Sequence, residues 1–95
     1  MIKVMATLIS KADKVAETAA ALSSIVAPTL EETGCISYEL FQSDADETEF
    51  VTIEEWADQA SIDAHMASDH IAAALAAAPE ILAAEPKITN FTKIA

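Results

Sequence analysis

The chain has 95 residues and 53% hydrophobic content, which suits a single domain over 1–95 and excludes a disordered chain, a doubly wound α/β enzyme and a closed eight-unit barrel. Five lysines and no arginine face sixteen acidic residues, for a formal charge of -11, so the surface repels nucleic-acid phosphates and anionic lipid heads. Cys35 is the only cysteine, which excludes an intrachain disulfide and a Cys-based zinc site within one chain.

Ile2 to Ile9 reads as a strand, and apolar residues on both of its parities imply that both faces are covered. No basic and apolar leader precedes this strand, and the longest apolar run, Ile71 to Pro79, is too short to span a bilayer. A soluble cytoplasmic protein without a membrane partner is the expectation. Ser10 is placed to cap the next helix, along which Val15, Ala19, Leu22, Val26 and Leu30 form an apolar stripe. Pro28 predicts a kink or break within it. Gly34, the only glycine, is expected to end the helix with positive φ.

Cys35 to Gln42 reads as a second strand, with Ile36, Tyr38 and Leu40 on one face and Cys35, Ser37, Glu39 and Phe41 on the other. A polar turn leads into a third strand, Thr48 to Trp56, as its hairpin partner. Phe50, Thr52, Glu54 and Trp56 share one face of that strand. Asp58 to Ala78 reads as an alanine-rich helix, with a break near Ala67-Ser68-Asp69 where Ser68 or Asp69 caps a second piece, and Pro79 is expected to stop it. Pro86 precedes a last strand, Lys87 to Ile94.

The order strand, helix, strand, strand, helix, strand fits an α+β ferredoxin-like sandwich, β-α-β-β-α-β, with a four-stranded antiparallel sheet covered by helices on one face. The apolar residues on the other parity then need a cover that one chain of this length does not supply, which points to a homodimer.

His65 and His70 are the two histidines. On a continuous helix they stand about 140° apart, so a metal site from this pair is not expected. Asp44, Asp46 and Glu47 lack the glycine turn and ligand pattern of a calcium loop. His65 is placed as an acid, a base or a hydrogen-bond donor, with a packed structural histidine as the alternative. Glu54 shares a face with Trp56, and if that face is buried its carboxylate needs a partner or a proton. Tyr38 fits both a pocket hydroxyl and sheet packing. Trp56 fits both a pocket wall and the core.

Three segments in order carry a family likeness: Glu32-Thr33-Gly34-Cys35-Ile36-Ser37-Tyr38-Glu39-Leu40, then Phe50-Val51-Thr52-Ile53-Glu54-Glu55-Trp56, then Asp63-Ala64-His65 with His70. This pattern resembles the antibiotic biosynthesis monooxygenase family, particularly its small quinol-monooxygenase-like members. The resemblance implies a ferredoxin-like fold that dimerises through its sheets into a dimeric α+β barrel. It also implies oxidation of a small quinol or phenolic aromatic by dioxygen without flavin, haem or metal. Other relatives isomerise small metabolites or have no known reaction, so a cofactor-free isomerase and a non-catalytic ligand-binding dimer stand beside the oxygenase. By the same resemblance His65, Glu54 and Trp56 are the catalytic candidates, and Tyr38, His70 and Phe50 the substrate-pocket candidates. The lack of arginine disfavours phosphorylated substrates and haem propionates.

Overall fold

The computed structural model describes residues 1–95. Its elements are β1 (Ile2–Ile9), α1 (Val15–Ser24), α2 (Val26–Leu30), β2 (Cys35–Gln42), β3 (Glu49–Trp56), α3 (Gln59–Met66), α4 (Asp69–Ile81) and β4 (Lys87–Phe91). The four strands form one sheet in the order β2-β3-β1-β4, with every neighbouring pair antiparallel. This is the expected ferredoxin-like arrangement.

Strand alternation decides which side chains meet the helices. In β3 every second residue is buried: Phe50, Thr52, Glu54 and Trp56. Register extends this face sideways, because Glu54 lies between Val4 of β1 and Tyr38 of β2, and Thr52 lies between Ala6 and Leu40. Two apolar clusters line the space below. One joins Val4, Ile25, Tyr38, Trp56, Ile62 and Ile71; the other joins Ala6, Leu8, Leu22, Phe50 and Leu82.

The strict two-residue alternation expected in β2 fails at its start. A bulge between Cys35 and Ser37 pairs Cys35 with Trp56 and Ser37 with Glu55, so Cys35 packs beside the core and Ile36 is exposed. One unpaired residue is enough to shift the parity of what precedes it.

The helices depart from expectation in four places. Ser10 does not cap α1; it is buried, and its hydroxyl pairs with Thr18 Oγ1 at 2.8 Å and donates to the Lys11 carbonyl. Leu30 leaves the apolar stripe because the helix breaks at Ile25, which turns Ile25 and Thr29 inward and Leu30 outward. Gly34 has φ of +84° as expected, but it lies in the turn after α2 rather than at the helix end. Pro79 does not stop α4, which runs on to Ile81. The next residue, Leu82, is buried in the second cluster, against which Ile81 packs, and this burial opposes the local cost of the missing amide. The last strand ends at Phe91, short of the expected Ile94.

The break between α3 and α4 sits where expected. Ser68 is extended, with ψ of 156°, and its hydroxyl donates to the His65 carbonyl at 2.6 Å. Asp58 caps α3 by accepting from the Ser61 amide at 2.9 Å and the Ser61 hydroxyl at 2.7 Å. No helix is long and apolar enough to cross a membrane.

The sheet face away from the helices carries an apolar patch, beside the Lys3–Glu55 ion pair, that is open in the single chain. Met5, Phe41 and Phe91 are exposed there, beside half-buried Val51 and Ile53.

Candidate active site

The buried row of β3 brings an acid into an apolar interior. Glu54 is 5% exposed, and each of its oxygens has a donor: Thr52 Oγ1 reaches Oε2 at 2.7 Å and Trp56 Nε1 reaches Oε1 at 2.8 Å. All three residues share a face because they are two apart on one strand. A buried carboxylate without such donors would be strongly unfavourable. Trp56 is wholly buried and its indole N–H is committed to Glu54, so it positions this acid from inside the core.

His65 lies in the last turn of α3 at 4% exposure. Its ring centroid lies 4.7 Å from that of Trp56 and 5.7 Å from that of Tyr38, in tilted contacts. Its Nδ1 is 2.6 Å from Glu32 Oε2, and His70 Nε2 is 2.9 Å from the same oxygen. A carboxylate only accepts, so each imidazole donates an N–H to it. Donation from Nδ1 to Glu32 corresponds to the Nδ1–H tautomer of neutral His65, which leaves the ring lone pair on Nε2.

A cavity of about 350 Å³ lies between the sheet and the helices. Its walls are mostly apolar: Val4, Ala6 and Leu8 of β1 face Ile71, Ala74 and Ala78 of α4. Its polar or ionisable lining is Tyr38, Thr52, Glu54 and His65. Glu54 and Tyr38 face each other across β3 and β2, so these groups gather at one end. Burial first, and the Glu54 charge second, push the Tyr38 phenol well above the usual tyrosine range. Tyr38 is therefore a hydrogen-bond donor at neutral pH and not a base. Burial also raises the Cys35 thiol, aided by the charges of Glu32 and Glu54, which disfavours a thiolate nucleophile.

The structure thus gathers Glu54, His65 and Tyr38 at one cavity end. It places Trp56 behind them and not in the wall. Phe50 and His70 do not line the cavity. Phe50 is buried in the second apolar cluster, and His70 is held to Glu32 by α4 beginning afresh after the break. Glu32 carried no assigned role in the sequence, although it opens the first family-like segment. It sits 33 residues before His65, and nothing local marks the pairing beyond its place beside the single glycine.

Comparison with known proteins agrees with the fold. The family model for antibiotic biosynthesis monooxygenase matches residues 1–77. An uncharacterised protein of Synechocystis, sll1783, is 29% identical over 85 residues, or 90% of this chain. The match covers 57% of that protein, so the chain spans little more than half of its length. A crystal structure of an antibiotic biosynthesis monooxygenase superposes with a TM-score of 0.93 at 26% identity over 100% of both chains. PA3566 from Pseudomonas aeruginosa gives 0.93 at 26% identity, over 99% of this chain and 94% of that one. A conserved protein from Methanosarcina mazei Go1 gives 0.90 at 34% identity, over 97% and 91%. With the fold, the ordered sequence segments and the family match in agreement, the chain belongs to the antibiotic biosynthesis monooxygenase family.

Proposed function

We propose that the protein is a cofactor-independent monooxygenase that oxidises a small quinol or phenolic aromatic with dioxygen. The observation that carries this reading is the apolar cavity whose polar end holds an oriented imidazole, His65, backed by the Glu32 carboxylate. A phenolic ring fills the apolar space and presents its hydroxyl to that end. His65 Nε2 takes the phenolic proton, and Glu32 stabilises the imidazolium through Nδ1–H. The phenolate gives one electron to dioxygen. The resulting radical and superoxide combine at carbon, and the imidazolium returns the proton to form a hydroperoxide. Loss of water leaves the quinone. Tyr38 donates to the substrate oxygen, and the apolar walls keep water away from the anion. Trp56 keeps Glu54 in place at the same cavity end.

We also propose that a second copy covers the open sheet face, because Met5, Phe41 and Phe91 leave an apolar surface on it. Light scattering at micromolar protein tests this, with a mass near 20 kDa expected and a stable 10 kDa species opposing it.

The reaction is tested by dissolved-oxygen uptake with metal-stripped protein against hydroquinones and anthrone-like phenols, with product mass followed in parallel. Uptake above the buffer rate and a product gaining one oxygen atom are expected. Substrate conversion without oxygen uptake would instead support an isomerase built on the same imidazole. Saturable binding without conversion would support a ligand-binding dimer.

A further inference from the structure

Glu32, His65 and His70 come from three separate segments and meet at one point. Glu32 lies in the turn before β2, His65 in the last turn of α3 and His70 in the first turn of α4. The offered ligand atoms of the three residues all lie within 4.8 Å of one another. The angular argument against the two histidines fails because the helix breaks between them at Ser68. The third donor arrives from a distant turn.

We propose that this cluster is a binding site for a divalent cation of the zinc class, with His65 Nδ1, His70 Nε2 and the Glu32 carboxylate as ligands. Two imidazoles and one carboxylate suit zinc, cobalt or nickel, whereas magnesium and calcium prefer all-oxygen sites. Metal–ligand bonds of about 2.0–2.1 Å in a tetrahedral site separate the ligand atoms by roughly 3.3 Å. The present contacts to Glu32 Oε2 are 2.6 and 2.9 Å, so each imidazole–carboxylate separation has to widen by less than an ångström to admit an ion. No lysine competes for Glu32; the lysine ion pairs are Lys3 with Glu55 and Lys14 with Glu17. Ten of the sixteen acids lie between Glu31 and Asp58 without a lysine among them, and this charge draws cations to the region. Entry is from the His70 side, where the side chains of Glu32 and His70 are 16% and 22% exposed against 5% for His65. Packing against Trp56 steadies the His65 ring, and Ser68 Oγ lies 3.3 Å from His70 Nε2. Water takes the fourth position.

Ligation has a chemical consequence at the cavity. The metal takes the Nδ1 lone pair, so the proton of neutral His65 moves from Nδ1 to Nε2. The nitrogen available as a base becomes a donor. If the oxygenase reading holds, the bound ion silences its base; the site itself does not depend on that reading.

The test is calorimetric titration of the chelator-treated full chain with zinc chloride, paralleled by cobalt chloride followed by visible absorption. One ion per chain is expected, with an intense tetrahedral cobalt spectrum that zinc displaces. His70→Ala and Glu32→Gln, each with unchanged circular dichroism, should weaken binding about 100-fold or more, beyond the 10–100-fold typical of lost outer-shell partners. Zinc should raise the melting temperature of the parent chain and not of His70→Ala. No saturable binding at submillimolar ion, or equal affinity in both variants, overturns the proposal. Oxygen uptake is not read here, so failure of the metal site and failure of the oxygenase reading remain separate results.

Discussion

Replacing Trp56 by Phe keeps an aromatic ring in the core and removes the N–H that Glu54 Oε1 accepts. That buried oxygen then lacks a donor, at an expected loss of about 1–3 kcal/mol, read from chemical denaturation with an unchanged slope. A variant as stable as the parent would show that Glu54 does not depend on the indole. Tyr38 offers a second test, since it is the only tyrosine. Its phenol is held above the ordinary value of 10.0 by burial and by Glu54. The native state therefore binds this proton more tightly than the unfolded chain does. The associated stability is complete below about pH 10 and is lost as pH rises through the native value. Tyrosinate absorbance should stay low at pH 11 while the fold persists, and Tyr38→Phe should flatten the fall of stability above pH 10. Absorbance rising with a midpoint near pH 10 in the folded protein would contradict this. In the sequence, the shared face of Glu54 and Trp56 was legible from strand period alone. Their hydrogen bond was not, because period places side chains on a face without setting rotamers.

Among the elements, the turn from α2 into β2 does much of the positioning. It carries Glu32, and the carbonyl of Gly34 accepts the Ala57 amide at 2.8 Å, tying this turn to the end of β3. Gly34 needs its positive φ, and an added Cβ would overlap Ser61 Oγ at the first turn of α3. Gly34→Ala is expected to destabilise the protein by about 1–3 kcal/mol from backbone strain alone, with a further steric part against Ser61 Oγ and Cβ that Ser61→Gly relieves in the double variant. Additive effects of the two substitutions would remove the steric account. The single glycine was readable as a positive-φ position, but its approach to Ser61 is a tertiary contact. Likewise the α3–α4 break was visible in Ala67-Ser68-Asp69, while the meeting of both histidines on Glu32 depends on where the preceding turn lies. Pro79 was misread because a local rule gave way to burial of Leu82 beyond it.

At the scale of the whole molecule, one sheet face builds the cavity and the other remains to be covered. The element order and sheet class followed from alternation and turn positions, and so did the excess of apolar residues over what one helical layer covers. If a second copy supplies that cover, Phe41→Glu should shift the sedimentation mass towards one chain, since a charge there would lose its hydration on burial. An unchanged dimer would place the interface elsewhere. The cavity lies on the opposite face, so the monomeric variant should still bind an aromatic ligand. The central claim concerns the Glu32–His65 pair at the cavity's polar end. The most direct measurement is oxygen-18 incorporation from labelled dioxygen into a hydroquinone or anthrone product, run side by side with the parent chain and a folded His65→Ala variant. The account predicts one labelled atom per product from the parent and a rate lower by about 100-fold or more in the variant, the range for loss of a general base. Equal incorporation by both proteins would contradict it.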